Sequence, residues 1–372
     1  MKQVEALFSR QQAEGRFPGG QLVVMRDDEV LCDVSVGLSR GYRQEEPPVP
    51  VTATTRFQVM SASKPFVALA IALLDDAGRI ELNAPVARYF PEFANRGKEQ
   101  ITIDDVLSHR SGVVLEELND HPEWWSDWAM VVRKMADAKP RYPRGTLAYS
   151  PAGFGWILAE VVQRITHESF QNFLLERLPT SLSGVRFIDP AQHDTAAHSY
   201  WLGPARFMLA GHDLASDFER INNDLSTFTA CVPGAGLLAN ARELAAFYSL
   251  LVAGGGNVLS RGTLAKYIEK QSFGCERQLK IPLSLGRGFG LGSFGPHAFG
   301  WWNTQRCFGH AGGFGVVAYG DPKTRIGVGI VTNGHRGVGD LVRRFAPLGS
   351  AIRKATAHAG TPLQISGAEK SG

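Results

Sequence analysis

The stretch Phe57-Gln58-Val59-Met60-Ser61-Ala62-Ser63-Lys64-Pro65-Phe66-Val67-Ala68-Leu69-Ala70-Ile71-Ala72-Leu73-Leu74-Asp75-Asp76-Ala77-Gly78 decides how this chain is read. Pro65 suits the first turn of a helix, residues 66–74 form a nearly unbroken apolar run, and Asp75-Asp76-Ala77-Gly78 is a stop signal. A helix that is apolar all round is a buried one. Ser61 and Lys64 stand three residues apart at its start, and residues three apart share a helix face. An isolated Ser-x-x-Lys is weak evidence, because a capping serine followed by a surface lysine gives the same pattern. At the start of a core helix, however, an unpaired ammonium is costly, so a depressed lysine pKa is expected. A neutral amine there is a base for the serine hydroxyl. The spacing predicts Ser61 as nucleophile and Lys64 as the group that takes its proton.

The rest of the chain has the composition of a globular enzyme. Its 372 residues are 44% hydrophobic and 10% aromatic, enough for a large core in one two-part unit or two closely packed domains. The 39 basic and 36 acidic residues are scattered and leave a net charge of +3, which offers no basic face to nucleic acid or anionic lipid. The longest apolar run, at 66–74, is far shorter than the roughly 20 residues that cross a bilayer. The amphipathic start, Met1 to Arg10, has no apolar segment of signal-peptide length. Cys32, Cys231, Cys275 and Cys307 are widely spaced and form no CxxC pair, so free thiols in a reducing cytoplasm are expected.

Two stretches read as β-hairpins. One joins Gln21-Leu22-Val23-Val24-Met25 to Val30-Leu31-Cys32-Asp33-Val34-Ser35-Val36 across Asp27-Asp28-Glu29. The other joins Gly315 to Gly320 with Ile326 to Val331 across Asp321-Pro322-Lys323-Thr324. Between them, residues 61 to about 180 look mainly helical. The expected class is α+β, with the terminal hairpins in one antiparallel sheet covered by the first helix and by a last helix over about 338–354. The expected organisation is a sheet domain from 1–60 and 225–355, a helical domain over 61–224, and a small polar tail from 356 to 372 that is disordered. The active site would lie between sheet and helices.

Two more candidates follow in chain order. Tyr149 sits in the Gly/Pro loop Pro143-Arg144-Gly145-Thr146-Leu147-Ala148-Tyr149-Ser150-Pro151, a setting that projects a side chain into a cleft. A phenol with its pKa lowered by cations would shuttle protons there; a packing tyrosine is the competing reading. His310 lies in Phe308-Gly309-His310-Ala311-Gly312-Gly313-Phe314-Gly315, where glycines let backbone approach a ligand and leave amides free to donate. A satisfied structural histidine is the alternative. Trp124, Trp125, Trp128, Trp301 and Trp302 either line an acyl pocket or pack the core. Gly290-Leu291-Gly292-Ser293-Phe294-Gly295 matches G-x-G-x-x-G but is followed by Pro296 and lacks a strand-to-helix setting. There is no G-x-S-x-G, and the histidines have no metal-ligand spacing, so neither metal nor cofactor is implied.

Taken in order, Ser61-Ala62-Ser63-Lys64, Tyr149-Ser150-Pro151 and His310-Ala311-Gly312 resemble the three signatures of the serine β-lactamase and penicillin-binding-protein superfamily. The segments Ile101 to Val113, with its Ser108-His109-Arg110-Ser111-Gly112, and Pro233-Gly234-Ala235-Gly236 are similar to further stretches of that family. The resemblance covers about residues 1–355 and implies a β-lactamase/transpeptidase-like fold and a serine hydrolase. It implies Ser61 as acylated nucleophile, Lys64 as base, Tyr149 as proton relay and His310 as a positive or hydrogen-bonding group near substrate. It also implies the Ser61 and Gly313 amides as oxyanion hole, beside Gly312; by their places in the chain, Trp124 and Trp302 are pocket candidates. Pro151 departs from the family, which usually has an asparagine there that contacts both substrate amide and lysine; a proline side chain makes neither contact. That favours a small-molecule ester over a β-lactam or peptide, so a carboxylesterase is expected. D-amino-acid amidase or peptidase activity, which the histidine of the third signature favours, acyl transfer, and a non-catalytic binding protein are the alternatives.

Overall fold

Helix α1 (Lys2–Ala13) buries Val4 and Phe8 on one side and hands the chain to a hairpin of β1 (Gly19–Arg26) and β2 (Glu29–Arg40). The structure is a computed structural model and describes residues 1–44, 46–209 and 212–357. A short edge strand, β3 (Val49–Pro50), precedes α2 (Lys64–Asp76), α3 (Ile103–Leu107), α4 (Gly153–Thr166) and α5 (Ala241–Val252). Six strands follow: β4 (Ser272–Cys275), β5 (Pro282–Leu285), β6 (Gly290–Leu291), β7 (Phe308–Gly312), β8 (Val316–Asp321) and β9 (Ile326–Thr332). The last helix, α6, spans Val338–Thr356.

Among the described residues, nine strands form one sheet in the order β3-β2-β1-β9-β8-β7-β6-β5-β4. The two hairpins expected from the sequence meet at its centre, where β1 and β9 pair antiparallel with Leu22 opposite Ile330 and Val24 opposite Val328. Side chains alternate between the two faces of a strand, which sorts the core. Leu22, Val24, Val317, Tyr319, Val328 and Ile330 pack on one face with Val4 and Phe8 of α1 and Phe345, Leu348 and Ile352 of α6. The opposite face carries Val23, Val316, Ala318 and Val331 and meets α5 and the helical part. Contact there is backbone to backbone: a Cβ on Gly327 would lie 2.1 Å from the Ala245 carbonyl oxygen. Phe66 of α2 stacks on Phe247 of α5 with centroids 4.0 Å apart, so the helix carrying Lys64 is keyed to the sheet through α5.

Helix α2 runs as the sequence requires. It buries Lys64 through Ala72 and stops before Gly78, which takes the left-handed conformation with φ +65°. The Gly290–Gly295 stretch is β6 plus an irregular segment, with no helix after it. Among the described residues, no helix is long and apolar enough to cross a membrane, and the four cysteines are unbridged. The tail expected from residue 356 lies, from 358 onward, outside the described residues.

Candidate active site

The nucleophile turn is built by long-range backbone contacts. The Val59 amide donates to the Leu237 carbonyl at 2.9 Å, and a 3-10 turn over Met60–Ser63 then leads into α2. Met60 has φ +49°, a region that costs a non-glycine residue on the order of 1–3 kcal/mol and persists only where the surroundings enforce it. Ser63 supplies part of that restraint: its hydroxyl donates to the Met60 carbonyl at 2.6 Å and accepts from the Leu237 amide at 3.1 Å. The end of β7 presses on the same turn, since a Cβ on Gly312 would sit 2.0 Å from the Val59 carbonyl oxygen. A Cβ on Gly313 would sit 2.6 Å from Met60 Cγ. Ser61 is thereby held in a first turn, where amides have no intrahelical acceptor.

Lys64 is fully buried, and its Nζ has three partners: the Pro151 carbonyl at 3.1 Å, the Gly234 carbonyl at 3.0 Å and Ser61 Oγ at 3.2 Å. Burial alone holds the amine down to about 7. A neutral amine has two N–H bonds and one lone pair. The two carbonyls accept the two hydrogens, which leaves the lone pair for the Ser61 hydroxyl. Gly155 makes this packing possible, because a Cβ there would fall 2.2 Å from the Gly234 amide nitrogen. Pro151 corrects the sequence expectation in part: its side chain offers the lysine nothing, but its carbonyl oxygen bonds Nζ.

Tyr149 and His310 come to the same place, and the Tyr149 phenol is shifted opposite to expectation. The Tyr149 hydroxyl is hydrogen-bonded to Ser61, and Lys64 Nζ lies 5.1 Å from the centre of its ring. Its pKa is raised rather than lowered by cations: burial dominates, and the Glu276 charge adds to it against the Ser61 bond. The phenol is therefore a proton donor that stays protonated. His310 projects from β7 with its ring centroid 6.3 Å from that of Tyr149. Burial, and then the Lys64 charge, push it down to about 3, which leaves hydrogen bonding, rather than positive charge, of the two characters expected of it. Nδ1 faces the Ala311 carbonyl at 2.6 Å, which makes it the protonated nitrogen of the neutral ring and leaves Nε2 as an acceptor.

His109 had no role among the sequence expectations. Its ring is buried, stacks on Tyr149 at 4.6 Å and on Phe154 at 5.0 Å, and accepts the Ser150 amide at Nδ1 over 3.1 Å. Of the two readings open for the tryptophans, Trp124, Trp125 and Trp128 follow core packing. Trp124 stacks on His121 at 4.0 Å beneath the Lys134 ammonium, and Trp128 donates to Glu160 at 2.6 Å. Trp302 is exposed, and its carbonyl accepts from Arg353 in the last turn of α6, on the sheet face away from His310. The structure does not bring Trp302 to the site. Instead Met60, Trp201 and Phe218 form a buried cluster with Phe207 and Phe314 packed against it, next in the chain to Ser61 and Gly313. Among the described residues no group of acidic, histidine and cysteine side chains is placed to hold a metal ion.

The chain is 27% identical over 353 residues to the esterase/beta-lactamase LipL of Mycobacterium tuberculosis, covering 86% of this chain and 77% of that protein. Its fold is similar to a penicillin-binding protein homologue from Caulobacter crescentus, with a TM-score of 0.81, 24% identity and coverage of 95% and 96% of the two chains. It is also similar to a family VIII carboxylesterase, with a TM-score of 0.78, 24% identity and coverage of 93% and 97%. The family model described as Beta-lactamase matches residues 4–349, and the chain belongs to that family of serine hydrolases.

Proposed function

We propose that this protein is a carboxylesterase acting through a Ser61 acyl-enzyme. The observation that carries the reading is Lys64, buried, with Nζ 3.2 Å from Ser61 Oγ and bonded to two backbone carbonyls, and held by burial at about 7, so that about half of it is an uncharged base at pH 7. Lys64 takes the Ser61 proton as Oγ bonds to the ester carbonyl carbon. The Ser61 and Gly313 amides receive the developing oxyanion, and losing one such donor typically costs about 3–4 kcal/mol in the barrier. Tyr149 passes its proton to the leaving alkoxide as the C–O bond breaks and regains one from the lysine ammonium. Water then attacks the acyl carbon, with the same groups in reverse order.

An ester is favoured over a β-lactam or a peptide by charge. Those substrates carry a carboxylate, and His310, buried and neutral, gives it no cation to pair with. Pro151 has no side-chain amide for a substrate peptide group. The Trp201, Phe207, Phe218 and Phe314 cluster beside the turn suits an apolar acyl or alcohol group. The Mycobacterium tuberculosis relative is named for both esterase and beta-lactamase, which supports ester hydrolysis without separating it from lactam hydrolysis. D-Amino-acid amide cleavage is the second reading, favoured by a histidine at position 310. Turnover of p-nitrophenyl esters, D-amino-acid p-nitroanilides and nitrocefin separates them. The proposal expects kcat/KM on esters at least about 100-fold above the other two, equivalent to about 2.7 kcal/mol. Faster cleavage of the anilides or of nitrocefin would refute it.

A further inference from the structure

The loop that presents Tyr149 has no regular secondary structure, yet Ala148, Tyr149 and Ser150 are all buried. Buried amides need acceptors, so where three consecutive N–H groups go is a physical question. His109 takes two of them: the Ala148 amide donates to its carbonyl at 3.0 Å and the Ser150 amide to its ring at 3.1 Å. The Tyr149 amide goes the other way, to Glu276 Oε1 at 2.5 Å. Glu276 follows β4 directly, is fully buried, and lies 127 residues downstream of Tyr149. Its carboxylate also accepts the Gln278 amide at 2.5 Å and the Leu279 amide at 2.5 Å. The neighbouring Arg277 amide donates to the Leu147 carbonyl at 3.1 Å, which adds a second tie between the same two segments.

An ionised carboxylate is expensive to bury, and three amide donors are the kind of compensation it requires. Charge-assisted bonds of this kind are about twice as strong as neutral ones.

We infer that Glu276 is a positioning residue for Tyr149: its carboxylate fixes the Tyr149 backbone against the His109 stack, so that the phenol stays on Ser61. The Glu276 charge has a second consequence in the same direction, since it disfavours the phenolate and keeps Tyr149 a donor. The inference rests on the proposed role of Tyr149.

The test is a double-mutant cycle on a p-nitrophenyl ester, with kcat, KM and Tm measured for Glu276→Ala, Glu276→Gln and Glu276→Asp, each with Tyr149 and with Tyr149→Phe. Glutamine keeps an oxygen within reach of the Tyr149 amide, whereas aspartate keeps the charge but withdraws it. The expected result is a kcat loss of about tenfold or more for Glu276→Ala with KM within about twofold, recovery to within about threefold in Glu276→Gln, and poorer recovery in Glu276→Asp. In the Tyr149→Phe background the Glu276→Ala loss should shrink to under about threefold. The same tenfold loss in both backgrounds would overturn the inference, because Glu276 would then act elsewhere. If Glu276→Ala fails to fold, the order of glutamine and aspartate decides, and aspartate outperforming glutamine overturns it. An unchanged kcat in Tyr149→Phe alone would remove the role of Tyr149 and the inference with it.

Discussion

If the lone pair of Lys64 removes the Ser61 proton, kcat/KM for a neutral ester must follow the fraction of uncharged lysine. Burial holds that amine at about 7, against 10.5 for a solvated lysine. The uncharged fraction is then about half at pH 7 and about 1% at pH 5, so the rate should rise about 100-fold between pH 5 and pH 9. The curve should be a single sigmoid with unit slope below pH 6 and a plateau above pH 8. Its simplicity comes from the neighbours. His310 is pushed down to about 3, so it adds no limb of its own above pH 5, and burial pushes His109 well below its usual range. Tyr149 is pushed up, so the plateau should hold to pH 9. The assay is initial-rate hydrolysis of p-nitrophenyl acetate under kcat/KM conditions, with Ser61→Ala at each pH as the background. A flat profile from pH 5 to pH 9, or a limb near pH 4 to 5 of the kind a carboxylate gives, would refute lysine as the base.

The same titration enters stability with a definite sign. Unfolded Lys64 keeps its proton up to about 10.5 and the folded residue loses it near 7, so stability rises with pH between those values by about 1.4 kcal/mol per unit. Urea melts at pH 7.5 and pH 9.5 should show that rise relative to Lys64→Met; parallel pH dependence in the two proteins would contradict it. Gly313→Ala places a Cβ 2.6 Å from Met60 Cγ at φ +50°, and kcat should fall by about 100-fold or more while fluorophosphonate adduct formation slows in parallel. Wild-type rates in that variant would remove Gly313 from the oxyanion site. Pro151→Asn should keep ester kcat within about threefold, because the lysine bond at this position comes from the backbone carbonyl. A loss beyond about 30-fold would show that the proline ring itself is needed.

What the sequence revealed and what it hid follow from the range of the interactions. Ser61 and Lys64 were legible because their relation is local, set by a spacing of three and by the apolar run that follows. The terminal hairpins were legible from β-rich apolar runs across short polar turns, and their two faces pack against the helices that cover them. Strands β4, β5 and β6 were not, since each has only two to four residues and little alternation. The acceptors of Lys64 were invisible because they are backbone carbonyls at 151 and 234, which no side-chain pattern marks. The protonation state of Tyr149 was misjudged, and that of His310 left open, for a related reason: burial dominates both, and it sums over atoms from the whole chain. Glu276 lies in no motif, and only the fold shows which amide it serves. Trp302 was a candidate by proximity to His310 along the chain, yet it lies on the opposite face of the sheet.

The account stands on Ser61 as the atom that becomes acylated. Intact-protein mass after brief exposure to a fluorophosphonate measures this directly. The account predicts a single adduct on the wild-type protein, none on Ser61→Ala, and greatly slowed labelling in Lys64→Met. An adduct that persists in Ser61→Ala, or a wild-type protein that stays unlabelled while it hydrolyses esters, would contradict it.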